Sequence, residues 1–256
     1  MPINLARRLA GRKRSTDANR HLGIVLAFVA GATNAGGFMA VQQHTSHMTG
    51  IVASMADNIA LGGYGLVLSG LGGLLCFLLG AACTAMMVNY SRRQKMHGVF
   101  ALPLLLEAAL LLCFGLLGAK LSTIGGLFVP VTVMLLCFIM GLQNALITKL
   151  SNAEIRTTHV TGIVTDIGIE LGKLVYWNAD KSPTLPKVSA NRSRLTVLSL
   201  LLMSFFLGGV IGALGFQHIG YIVTIPLALA LVVLAIVPAV DDLLFLRRRS
   251  IRRRRR

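Results

Sequence analysis

Acidic residues are scarce in this chain: nine Asp and Glu stand against 25 Lys and Arg among 256 residues. Charge of either sign is low as well, at 13%, where a soluble globular domain carries about a quarter. That shortfall argues against an ordinary water-soluble domain. Aromatics make up 6% with a single Trp, which leaves no stacking platform for a sugar. None of them interleaves with the basic clusters as base stacking would require, so the net charge of +16 does not point to nucleic acid. Cysteine is limited to Cys76, Cys83, Cys113 and Cys137, all inside apolar runs and without metal-ligand pairing. Free buried thiols are the expectation, with no disulfide, no metal and no cofactor. Neither a His-Glu-x-x-His run nor a Gly-x-Ser-x-Gly elbow occurs, so the residues do not announce an enzyme.

What the chain has in abundance is apolar length. Hydrophobic residues are 55% of it, and mean hydropathy is +0.73. Six runs, at 21–41, 66–90, 98–119, 127–149, 195–216 and 220–240, are long enough to cross a core about 30 Å thick, which takes roughly 20 residues. The first is expected to be retained as a span rather than cleaved, since its basic flank is long and no small-residue cleavage site follows. Two shorter amphipathic stretches lie between the first and second runs and between the fourth and fifth. They read TSHMTGIVASMADNIALG (Thr45 to Gly62) and THVTGIVTDIGIELG (Thr158 to Gly172).

The cations set the expected topology. If neither short stretch crosses, 24 of the 25 Lys and Arg fall on the side of both termini, leaving only Lys120 opposite. If both cross, the split is 20 to 5. Positive loops are retained in the cytoplasm, so the first arrangement is expected, with the short stretches re-entrant or half-depth. The Arg-rich end, Arg247–Arg249 and Arg252–Arg256, would face anionic lipid head groups.

The two short stretches belong to a larger repeat. Gly31/Gly141, Asn34/Asn144, Ala35/Ala145, Thr45/Thr157, His47/His159, Thr49/Thr161, Gly50/Gly162, Ile51/Ile163 and Val52/Val164 match with one two-residue gap. Chance likeness of apolar segments would match Leu and Val, not Asn, His and Thr-Gly. The second and fifth spans also carry small residues four apart, Ser69/Gly73 and Gly208/Gly212, which let helices approach closely. The fold class is therefore an all-α membrane protein of about six spans and two short re-entrant helices, built as two inverted three-span repeats. Its expected parts are a basic tail at 1–20, repeats at 21–126 and 127–240, and an Arg-rich tail at 241–256.

Gly-x-x-Asn-Ala-x-Gly-Phe at 31–38, His47-x-Thr-Gly, Gly-Leu-Gln-Asn-Ala at 141–145 and Thr-His-Val-Thr-Gly at 158–162 resemble the YoaK-like family of bacterial inner-membrane proteins. The resemblance covers nearly all of 21–240, with one departure: Asn34 stands where many members carry Asp. It implies a cytoplasmic-membrane protein with about six spans and no known activity.

The paired motif therefore has to supply the function. Thr45/Ser46 and Thr157/Thr158 are candidate N-caps for helices that begin inside the membrane and present free N–H groups there. Facing half-helix starts at matching places of inverted repeats are a pointer to a transporter's midplane site. The expected solute-binding residues are Asn34, His47, Thr49, Gly50, Asn144, His159, Thr161 and Gly162. The solute would be small and polar or anionic. Acids at membrane depth are costly and often couple ions, which singles out Glu107, Asp166, Glu170 and Asp57. The plainer account is backbone satisfaction by the His and Thr groups, and ordinary pairing of Glu170 with Lys173. His44 and His47 are three apart but lack a third ligand, so no metal is expected there. A membrane-embedded enzyme or a sensor/scaffold are the competing classes; the second lacks any soluble output domain.

Overall fold

The computed structural model describes residues 16–96, 98–121, 128–150, 160–178 and 187–254. Its described residues form eight α-helices and one 3-10 turn, without strands. In chain order these are α1 (Thr16–Val41), α2 (Met48–Ala60), α3 (Tyr64–Arg93), α4 (Ala101–Leu121), α5 (Phe128–Leu150), α6 (Val160–Val175), α7 (Arg192–Ile219) and α8 (Thr224–Arg254). Five apolar helical stretches are long enough to cross a membrane. The last of them, Arg192–Leu244, covers both α7 and α8. Gly220 separates the two: at φ +64 it takes the left-handed conformation that L side chains resist, ends α7, and leads into the turn Gly220–Val223. The same device, Gly62 at φ +74, folds α2 back onto α3.

Large apolar side chains stay exposed along these helices, among them Leu68, Leu79, Leu116, Phe206 and Leu229. A water-soluble protein would not tolerate so many together, whereas lipid tails are as apolar as Leu. The chain is thus a helical, membrane-embedded protein. The first helix begins at Thr16, within the stretch expected as a tail, and α8 runs on to Arg254 past the expected boundary at 240.

Two close crossings hold the centre. In the α1–α7 crossing, a methyl group on Gly31 would collide with the backbone carbonyl of Phe205, and one on Gly208 with that of Phe28. The α3–α5 crossing repeats this: Gly141 lies against the carbonyl of Phe77, and Gly80 against that of Phe138. Each of the four helices therefore carries Phe-x-x-Gly at the crossing, and only glycine admits the partner's backbone. The register continues outward. The Ser204 hydroxyl donates to the Ile24 carbonyl at 2.7 Å, and Thr84 donates to Leu142 at 2.9 Å, where the equivalent Gly212 packs on Ala32. The two small-residue pairs singled out in the sequence do not occupy matching positions. Gly80-x-x-x-Thr84, not Ser69-x-x-x-Gly73, is the counterpart of Gly208-x-x-x-Gly212, while a methyl group on Gly73 would lie 3.3 Å from the Cys137 thiol.

These contacts also fix helix directions. Residues 24, 28 and 32 meet 204, 208 and 212, so α1 and α7 are parallel. Residues 80 and 84 meet 138 and 142, so α3 and α5 are parallel too. By contrast Gly98 meets Asp242 while Gly118 meets Tyr221, so α4 and α8 are antiparallel. The Gln143 amide reaches the Leu26 carbonyl at 3.2 Å and Gly37 lies against Leu136, so α1 and α5 are antiparallel as well.

Candidate functional site

The chain reverses sharply after α1. Gln42 takes φ +56, His44 stacks on Phe38 with ring centroids 4.7 Å apart, and the Ser46 hydroxyl donates to Asn34 Oδ1 at 2.8 Å. Residues 42–47 thus return along α1 toward its middle before α2 begins. His47 occupies the N-cap position without a side-chain cap bond. The expected caps do other things: Ser46 holds Asn34, and the Thr45 hydroxyl is buried with no hydrogen-bond partner among the described residues. The first N–H groups of α2 are therefore left uncapped by side chains.

Where α2 starts, Phe77 of α3 faces it, and where α6 starts, Phe205 of α7 does. Phe77 and Phe205 each lie 13 residues from the first residue of their helix, roughly 20 Å along the axis. Both short helices thus begin near the middle of the long helix they pack against, at the level of the Phe-x-x-Gly crossings. There a half-open cavity of about 740 Å³ is lined from both halves of the chain. Asn34 and Asn144, Thr49 and Thr161, and Phe77 and Phe205 face it as matched pairs. His44, Ser46, His47, Thr148 and Lys149 complete its polar wall.

Of the eight residues expected to bind solute, Asn34, His47, Thr49, Asn144 and Thr161 thus share one cavity. Gly50 lies behind the His47 ring and lines a smaller cleft between α2 and α3. Gly162 has open space at its Cα and does not line the cavity. His159, with Thr157 and Thr158, lies outside the described residues. Asn34 is held by Ser46 and lies 3.5 Å from His44 Nδ1; Asn144 donates to the Met140 carbonyl at 2.9 Å.

The acids lie elsewhere. Glu107 is fully buried in α4, with no hydrogen-bond partner for either carboxylate oxygen among the described residues. Asp166 and Glu170 tie α6 to the start of α7. Asp166 meets Arg194 at 3.0 Å, and Glu170 accepts from Lys173 at 2.9 Å and from the Asn191 backbone N–H at 2.7 Å. The Lys173 hydrogen bond, then the Asn191 N–H, hold the Glu170 carboxyl below its usual range against the opposing effect of desolvation. Asp57 sits exposed on α2. No group of three His, Cys, Asp or Glu arranged for a metal occurs among the described residues.

Sequence reasoning missed Lys149, Phe77 and Phe205. Lys149 follows Ala145 by four residues and so shares its helix face, a signal hidden by counting it as a loop charge. Phe77 and Phe205 were legible as Phe-x-x-Gly in four separate helices. No curated protein and no solved structure matches the chain. One family does, over residues 22–237, which takes in every helix that builds the crossings and the cavity. On that match the chain belongs to the family described as protein of unknown function (DUF1275).

Proposed function

We propose that this protein is a secondary transporter of a small polar or anionic solute, bound between two half-helix N-termini at the membrane midplane. The observation that carries this reading is the cavity, where residues matched between the two halves converge and both short helices begin. Helix directions support the topology. If both short helices crossed the membrane, α4 and α8 would run the same way; if only one crossed, α1 and α7 would run opposite ways. Parallel α1–α7 and antiparallel α4–α8 are the directions expected when neither crosses, and they support that reading. On this reading the two halves are inverted repeats, both termini are cytoplasmic, and the YoaK-like resemblance puts the protein in a bacterial inner membrane. Short helices that stop at mid-depth are tolerable where their ends line a cavity rather than face lipid, and Thr49 and Thr161 line one here.

Glu107 is the coupling residue on this reading, since it alone among the four acids is buried without a partner among the described residues. Asp166 and Glu170 act as a latch on α6, and the Arg-rich end holds anionic lipid. The chain moves its solute rather than transforming it.

Reconstituted uptake tests the site. A His47→Ala/His159→Ala double variant that still folds is expected to lose uptake, and Glu107→Gln to lose its dependence on a proton or sodium gradient. Unchanged uptake in the double variant would sink the site assignment. Cysteine labelling at 42–48 and 91–97 tests the topology separately: the first segment should label from outside and the second from inside.

A further inference from the structure

Three residue pairs of the cavity match across the two halves, but the charge of its described lining does not. Among the described residues that line it, Lys149 is the only Lys or Arg, and none is Asp or Glu. The residue that corresponds to Lys149, by the spacing that pairs Gly31 with Gly141 and Asn34 with Asn144, is Met39, which does not line the cavity. Lys149 has no ion-pair partner among the described residues. Asp166 and Glu170 are already engaged with Arg194 and Lys173, and Glu107 lies in α4 away from the cavity. The cationic end of a half-buried lysine at a half-open cavity is best compensated by an anion brought in from solution.

The remaining walls restrict which anion. A volume of about 740 Å³ far exceeds a bare inorganic ion and falls in the range of sites for organic ligands, roughly 300–1,000 Å³. Phe77 and Phe205 face it from opposite helices, with Ala81 and Ala145 beside them. This is apolar surface placed to cover a hydrocarbon body. Asn34, Thr49, Asn144 and Thr161 supply neutral hydrogen-bonding groups, not charges. We infer that Lys149 is the charge-selecting residue of the cavity and that its ligand is an organic carboxylate, its head on the Lys149 ammonium and its hydrocarbon body between Phe77 and Phe205. The inference rests on the transport reading for the cavity's purpose but concerns binding alone.

Equilibrium binding to the full-length purified protein tests it, with benzoate, benzyl alcohol and benzylamine as probes of one shape and three charges, and chloride and phosphate as bare anions. Wild-type protein should bind benzoate at least about tenfold more tightly than the alcohol or the amine. Lys149→Met, which installs the residue of the matching position, should remove that preference, and Lys149→Arg should keep it. Unfolding temperature without ligand checks that each variant is folded. If benzylamine or benzyl alcohol binds as tightly as benzoate, and Asn34→Ala/Asn144→Ala abolishes that binding, the cavity stands as a site and charge selection by Lys149 is overturned. If chloride or phosphate competes as well as benzoate, the organic body is overturned. Benzoate binding that survives Lys149→Met also overturns the assignment, and so does binding of none of the probes.

Discussion

The two short helices occupy matching places and are held by different physics. α6 is fastened by charge: Asp166 and Glu170 reach Arg194, Lys173 and the Asn191 N–H, while Ile163 packs into a small cluster with Ala27, Leu198 and Leu201. α2 has no fully buried residue and leans on α3 through Met55 and Ile51 against Gly70, its Asp57 exposed. The long helices behind them differ much less, since both central crossings use the same Phe-x-x-Gly contact. Backbone-to-backbone contact admits few solutions, so the crossings stay alike. The shorter helices are attached by side chains, which leaves each half free to find its own means.

The largest expected effect tests the likeness of the crossings. Gly31→Val and Gly141→Val each drive a side chain into a backbone carbonyl that has nowhere to move. Each should cost at least about 3 kcal/mol, the upper end for overpacking, and should abolish monodisperse protein on size-exclusion chromatography. Gly209→Ala, whose nearest neighbour is 3.8 Å away, should be tolerated. A tolerated Gly141→Val beside a lethal Gly31→Val would end the equivalence.

The difference between α2 and α6 is sharpened by acid. The folded Glu170 carboxyl titrates below its ordinary value of about 4.3. Its contribution is therefore present above that value and is lost as pH falls through the lowered one. Hydrogen exchange, normalised for intrinsic rates, should show α6 losing protection as pH falls below the ordinary carboxylate range while α2 does not change over the same range. Glu170→Gln should already show that loss at neutral pH. Equal acid sensitivity in both helices would remove the distinction.

Smaller effects follow at single contacts. Thr84→Val removes the hydroxyl bond to Leu142 that its counterpart Gly212 never makes, and should cost about 1 kcal/mol in thermal or denaturant unfolding. Ser46→Ala, which frees Asn34 at the cavity edge, should cost no more than about 0.5–1 kcal/mol and act on solute binding more than on unfolding.

Much of the fold could be read in the chain because apolar length is a one-dimensional property. Runs of some twenty residues announce helices, and Asn34/Asn144 with the two Thr-Gly motifs announce that the chain repeats. The N-cap of α2 was misread because a hydroxyl beside a helix start has several partners in reach: Ser46 found Asn34 on a neighbouring helix instead of its own amides. Which small residues of α3 make its crossing was not legible, because Ser69/Gly73 and Gly80/Thr84 look equally able to admit a neighbour. Only Gly80 meets one closely at its backbone.

The sequence by itself determined that this protein lives in a membrane, is helical throughout its spans and carries one pattern twice, since each follows from composition and spacing along the chain. Tertiary structure alone decided which helices cross, that the matched Asn, Thr and Phe side chains meet in one cavity, and that Lys149 enters it unmatched. Those facts depend on contacts between residues far apart in the chain, from Thr84 with Leu142 to Gly31 with Phe205. Such contacts are settled by how closely two backbones can approach, which no single segment encodes.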